Sequence, residues 1–250
     1  MENLSRTASR VLVTGASHGI GRAVARALVQ SGHCVVGVSR TRPEPAGESP
    51  SELNNIGWHR LDLSNISDIE KCAATLQTMV FRAVVLCAVD YGADQRHPAA
   101  NTSAREWQQV IGTNCVGHCI LVSQLLQNLL SDPPGIIVNL SSDVAVLPGA
   151  GRAAYAASKA GLHALLRAIA EEHPRDQLRV YQLIPTFQLI TNGIRRRRPA
   201  GFDFSSYVEP VAVAQVVDRL ISSSDSPAPP GTYLVDRDGT MKHYLENTKL

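Results

Sequence analysis

TGASHGIG, residues 14–21, follows directly on the apolar run RVLVT of residues 10–14 and opens a helical pattern over Arg22 to Gln30. The order of strand, glycine-rich turn and helix gives these glycines their meaning, because spaced glycines alone are common. Gly15 suits a tight turn, Gly19 a close backbone approach, and Gly21 close packing of the helix on the strand. The free N–H groups at the helix start then offer a seat for a pyrophosphate. An ordinary strand-to-helix turn is the plainer reading, and the βαβ setting argues against it.

Outward from that loop, β-branched runs alternate with longer helical stretches. Gly32 closes the first helix, and Cys34 to Ser39 (CVVGVS) reads as a second strand. Residues 41–57, with three prolines, break the rhythm and read as loop with at most a short helix. Trp58 to Leu61 is a third strand, with a helix around Asp68 to Met79. VVLCAVDYG, residues 84–92, is a fourth strand that stops at an acid and a tyrosine. A long helix over Ala104 to Leu130, a strand over Ile136 to Leu140, a helix over Tyr155 to Glu172 and a strand over Arg179 to Ile184 follow. Residues 186–207 show no period. A helix near Pro210 to Ser222 and a strand over Thr232 to Val235 complete the pattern. Such alternation predicts an α/β fold, a doubly wound parallel sheet of about seven strands flanked by helices, in one domain.

Composition narrows the functional classes. The 250 residues carry a formal net charge of +2, with 44% hydrophobic and 18% charged residues. A nucleic-acid-binding surface calls for clustered Lys and Arg, and the sequence has one such run, IRRRRP, residues 194–199. No apolar stretch approaches the length that spans a bilayer, and MENLSRTASR lacks the apolar core of a secretory signal. The five cysteines, Cys34, Cys72, Cys87, Cys115 and Cys119, show neither metal-ligand nor disulfide spacing, so buried free thiols in a reducing, cytoplasmic setting are expected. No metal site, nucleic acid or membrane partner is expected.

The second strand ends in VSRTR, residues 38–42. Folds that read a ribose 2′-hydroxyl place an acid there, whereas an arginine suits a 2′-phosphate. Arg40, assisted by Arg42 and His18, therefore points to NADP(H) rather than NAD(H). Asp62, in LDL at the end of the third strand, is placed to accept from an adenine amino group. In YAASK, Tyr155 and Lys159 lie four apart and share a helix face. A phenol is too weak an acid for exchange at neutral pH, and a nearby ammonium lowers its pKa. The pair then makes a tunable acid and base for a carbonyl or alcohol. Ser142, at the end of IIVNLSS, is placed to hold the same oxygen.

With TGASHGIG, LDL, the asparagine of VIGTNCVG, NLSS and YAASK in this order and at these spacings, the sequence resembles the short-chain dehydrogenase/reductase family over nearly its whole length. The resemblance implies that Asn114 positions a relay water, Ser142 polarises the substrate oxygen, Tyr155 transfers the proton and Lys159 binds the nicotinamide ribose. It implies NADP(H) contacts from Gly15, Ser17, His18, Gly19, Ile20 and Gly21 of the loop, and from Arg40, Asp62, Leu63 and Ala88 at the next strand ends. Asn114, Tyr155, Lys159, Pro185 and Thr186 complete that set. Three places depart from the family pattern: the fourth-strand end, where Val89 or Asp90 replaces a glycine; Pro185-Thr186, with Thr191 one position late; and the proline-rich stretch before the third strand.

The expected activity is interconversion of a carbonyl and a secondary alcohol on a small or medium metabolite. A reaction without net redox (epimerisation, elimination or cyclisation) stays open, as does a different class, an NADP-binding sensor or scaffold without catalysis. Residues 186–210 would cover the substrate. There the arginine run reads either as recognition of an anionic or carrier-bound substrate or, more plainly, as a solvated helix face. A homo-tetramer or homo-dimer is expected through the two long helices, and a monomer by light scattering would refute it.

Overall fold

The computed structural model describes residues 9–43, 55–93, 96–223 and 228–244. At its centre β1 (Arg10–Thr14) pairs in parallel with β2 (Cys34–Ser39) on one side and β4 (Ala83–Leu86) on the other. Beyond β2 lies β3 (Ile56–Arg60). Beyond β4 lie β5 (Gly135–Leu140), β6 (Leu178–Pro185), β7 (Gly231–Val235) and β8 (Met241–His243), in the order β3-β2-β1-β4-β5-β6-β7-β8. All pairs are parallel except β7 with β8. The strand order reverses between β1 and β4, and in such sheets ligands bind at that switch point, beyond the carboxyl ends of the strands.

The continuous apolar runs of β1, β4 and β5 follow from burial on both faces. Val11 and Val13 face one layer, against α1 (Gly19–Gln30), while Leu12 faces the other. That second layer holds α2 (Ile66–Leu76), the long helix of residues 104–130 and α5 (Ala153–Glu172). In α1 the buried residues Gly21, Val24, Ala25 and Leu28 recur at helical spacing. α7 (Val211–Ser222) packs beside α1 on the same layer.

Several elements differ from the sequence reading. The fourth strand ends at Leu86, because the next two amides, of Cys87 and Ala88, donate to the Thr14 hydroxyl at 2.9 and 3.0 Å and leave the ladder. The long helix is α3 (Ala104–Ile111) and α4 (Gly117–Leu130) joined by a π-turn at Gly112–Val116, the segment that carries Asn114. An eighth strand exists, a three-residue edge after the Gly239 turn, too short to give a period. Residues 191–197 contain one short helix, α6 (Asn192–Arg196). Residues 44–54, the centre of the proline-rich stretch, lie outside the described residues.

Two further expectations need correction. The helix of residues 104–130 meets the length and hydropathy of a membrane span, but Leu121, Val122, Leu125 and Leu129 of its second half are fully buried against the sheet. The five cysteines are free, yet Cys34 is exposed and only Cys72 is fully buried; Cys34 opens β2 at its solvent end.

Candidate active site

The glycine loop is shaped by its neighbours. Gly15 sits at φ +70°, where a side chain is strained, and a Cβ there would come within 2.8 Å of the Ala88 Cα. A Cβ on Gly21 would strike the Gly15 carbonyl oxygen. The amide of Gly15 donates to Val38 O at 2.8 Å, which ties the loop to β2. His18 is the N-cap of α1 but makes no side-chain cap, its Nδ1 instead lying 2.8 Å from the Ser17 hydroxyl. The first amides of α1 therefore face the cleft with no side chain capping them, the arrangement that binds phosphate.

The cleft at this loop is lined by Gly15, Ser17, His18, Gly19, Ile20 and Gly21, by Arg40, by Asp62 and Leu63, and by Ala88 to Tyr91. Asp62 accepts from the Ser64 hydroxyl and amide at 2.7 and 3.0 Å. Burial works to raise its pKa, but those bonds, then Arg40 and Arg60, hold it below the usual carboxylate value. Arg196 of α6, a member of the arginine run, also lines this cleft. His18 is pushed below its ordinary pKa first by burial, then by Arg196, Arg40 and Arg22. These three guanidinium groups make the strand-end corner strongly positive.

The departures from the family pattern at β4 resolve into a hydrogen-bonded network. Thr14 Oγ1 accepts from Cys87 and Ala88 and lies 3.1 Å from His118 Nε2, while His118 Nδ1 lies 3.2 Å from the Asn114 carbonyl oxygen. A carbonyl can only accept, so Nδ1 carries the proton and Nε2 takes the one from Thr14. Asn114 clasps Asp90 from both sides: its Nδ2 donates to Asp90 O and its Oδ1 accepts from Asp90 N, each at 2.6 Å. Its Nδ2 also reaches Ser158 Oγ at 3.1 Å. Asn114 is fully buried and lines neither cleft. Its side chain is thus committed to the end of β4 and to Ser158. Asp90 Oδ1 accepts from Gly92 N at 2.9 Å and so braces the turn.

Ser142, Tyr155 and Lys159 meet in a second cleft that shares Ile20, Cys87, Val89, Tyr91, Thr191 and Arg197 with the first. The two form one continuous groove. Ser142 lies near enough to the Tyr155 phenol to favour its ionised form and donates to Asp143 Oδ1 at 2.7 Å. Lys159, 5% exposed, donates from Nζ to Leu140 O at 2.8 Å. Burial pulls its pKa down to about 8. The spacing of Tyr155 and Lys159 suggested a lowered phenol pKa, and the structure shows the opposite. Burial, then the neighbouring Tyr91, pushes Tyr155 above its ordinary value against the pull of Ser142 and Arg152. One of the three Lys159 ammonium donors goes to Leu140.

Pro185 lines the Tyr155 cleft, but Thr186 does not. Its hydroxyl turns to the end of β7, donating to Asp236 Oδ1 at 2.8 Å. Thr191 lines both clefts in its stead, stands over Gly19 and caps α6 through Ile194 N at 3.2 Å. The sequence reading also passed over Tyr91, whose ring lies 5.1 Å from that of Tyr155, and Arg152, discussed below. The only signal for Tyr91 was its place at the abrupt end of an apolar run. Burial pushes the Cys87 thiol up to about 12, too high for a nucleophile.

The architecture and the groove define a dinucleotide-fold protein in which Ser142, Tyr155 and Lys159 gather beside the glycine-loop cleft. The family profile described as short chain dehydrogenase matches residues 9–199, and the chain belongs to that family, whose members bind nicotinamide cofactors and act as oxidoreductases. It is 31% identical over 178 residues to a 3-oxoacyl-(acyl-carrier-protein) reductase of Vibrio harveyi, covering 70% of this chain and 72% of that one. It is 30% identical over 222 residues to carbonyl reductase family member 4 of Danio rerio, covering 85% and 90%. Among solved structures, a metagenomic short-chain oxidoreductase in complex with NADP is similar with a TM-score of 0.71 and 27% identity, over 91% of this chain and 96% of that one.

Proposed function

We propose that this protein is an NADP(H)-dependent carbonyl reductase of small or medium metabolites. The observation that carries the reading is the convergence of Ser142, Tyr155 and Lys159 on a groove continuous with the glycine loop. The cradle fits a dinucleotide: Gly15 and Gly21 let the loop fold tightly on Ala88 and on itself, where a Cβ would clash, and the helix start has no side-chain cap. Gly15 to Gly21 would hold the pyrophosphate, Asp62 and Leu63 the adenine, and Lys159 the nicotinamide ribose. Arg40, with Arg196 and Arg22 around His18, supports a 2′-phosphate, and with it NADP(H).

The bound nicotinamide supplies the hydride. The chain supplies the rest. Ser142 donates to the carbonyl oxygen after giving up its bond to Asp143. Tyr155 delivers the proton to the same oxygen as negative charge develops there. Burial holds the phenol in its protonated form, so it carries the proton, and the charge developing on the substrate oxygen draws that proton across. Asn114, His118 and Thr14 keep the β4 end in place under the groove.

A panel of ketones and aldehydes with NADPH, followed by loss of cofactor absorbance, tests this reading. Turnover that depends on Tyr155 supports it. Product formed without loss of NADPH absorbance would indicate chemistry without net redox. Tight NADPH binding with no turnover of any candidate would indicate a sensor.

A further inference from the structure

Resting on the carbonyl-reductase reading, we infer that the substrate is a short oxo acid whose carboxylate docks on Arg152 beside Tyr155. Arg152 is the N-cap residue of α5, three positions before Tyr155, so the two side chains rise from the same turn. Its guanidinium carbon lies 6.0 Å from the Tyr155 ring centroid. The Nε atom is buried and has no hydrogen-bond acceptor among the described residues. The carboxylates of the cleft do not serve it. Glu106 is held by His97 at 3.3 Å and by Ala93 N at 3.1 Å, and Asp143 accepts from Ser142. Arg152 is half-buried and lines the groove, so a carboxylate docking on the rest of its guanidinium offsets the cost of that unpaired donor.

The arginine run splits in a way that supports this. Arg195 and Arg196 are exposed, and Arg196 lines the glycine-loop cleft instead. Arg197 and Arg198 are half-buried and turn into the Tyr155 cleft. Arg197 lies over the Tyr91 ring at 4.6 Å, and Arg198 donates to the Tyr207 hydroxyl at 3.0 Å while lying over Phe202 at 5.3 Å. Those contacts hold two positive charges in the cleft that Arg152 also lines. With Arg96 the cleft carries four arginines against Glu106 and Asp143, and a concave site of one excess sign concentrates the opposite one. A guanidinium fork matches a planar carboxylate in two parallel bonds. The closeness of Arg152 to Tyr155 sets the charge within a few bonds of the reacting carbonyl. A thioester on a carrier has no charge so near its carbonyl, which separates an oxo acid from a carrier-bound acyl group.

The test compares pyruvate, acetoacetate and levulinate with their methyl esters, using NADPH and the wild type, Arg152→Gln and Arg152→Lys. The wild type should favour at least one acid over its ester in kcat/KM by about tenfold or more, the size of one charge-assisted pair. That ratio should fall to near one in Arg152→Gln through KM, and partly recover in Arg152→Lys. Calorimetric titration of the same acids into NADP+-loaded Tyr155→Phe protein gives a readout without turnover, and adding Arg152→Gln to it should abolish the binding. Reduction of neutral ketones or esters with no acid preference would overturn this inference and leave the reductase reading intact. Arg152-dependent acid binding without turnover of any carbonyl would overturn the reductase reading and leave the anion site intact. No binding and no turnover would overturn both.

Discussion

Acidification should weaken this protein through one residue, His118. It is 1% exposed and held between Thr14 Oγ1 and the Asn114 carbonyl. Protonating Nε2 would aim a second donor at a hydroxyl that already accepts from two amides. Burial first, then the nearby Lys159 ammonium, pulls its pKa from 6.5 down to about 4. Between pH 6.5 and 4 the unfolded chain therefore binds a proton that the folded chain refuses, so stability falls as the pH falls through that window. Integrating that difference gives a loss of about 2 kcal/mol at pH 5 and about 3 kcal/mol at pH 4, relative to pH 8. For a chain of this length, the loss at pH 5 corresponds to a drop in Tm of about 4–8 °C. His118→Gln keeps a donor and an acceptor but does not titrate. Urea unfolding of both proteins at pH 8, 6 and 5, followed by circular dichroism, isolates the histidine, because the other acid-sensitive groups are common to both. The variant should start lower at pH 8 and lose about 2 kcal/mol less by pH 5. Parallel losses in the two proteins would refute the buried neutral imidazole.

Two further outcomes are expected. Arg40→Asp should shift cofactor preference from NADPH towards NADH by about tenfold or more, the size of one charge-assisted contact; an unchanged ratio of cofactor dissociation constants would sink the 2′-phosphate argument. Gly21→Ala should remove cofactor binding and destabilise the fold by about 1–3 kcal/mol, since its methyl group would meet the Gly15 carbonyl, and thermal unfolding identical to wild type would contradict the tight helix packing.

The fold was legible where local constraints stamp residue types. Buried parallel strands need continuous apolar runs, and β1, β2 and β5 show them within a residue of their observed ends. Gly15 and Gly21 are forced by backbone contacts and Gly19 by its positive φ, so the loop announced itself. Tyr155 and Lys159 were visible because helical spacing puts them on one face. What escaped depends on partners far away in sequence. The β4 end is set by the side chains of Thr14 and Asn114, and no pattern within residues 84–92 reports it. Tyr155 and Lys159 share a face as the spacing requires, but one donor of the Lys159 ammonium goes to a strand carbonyl from another element, which no pattern inside the helix reports. The arginine run looked uniform, yet packing against Tyr91, Phe202 and Tyr207 turns two of its members inward.

The central claim is that the Tyr155 phenol protonates a carbonyl oxygen in a groove shared with a nicotinamide cofactor. Tyr155→Phe removes only the hydroxyl and leaves the ring against Tyr91. The decisive measurement is NADPH-dependent carbonyl turnover by the wild type and by this variant, with NADPH binding measured on both. Retained binding with kcat lower by about a hundredfold or more is the expected result, and turnover equal to wild type would contradict the account.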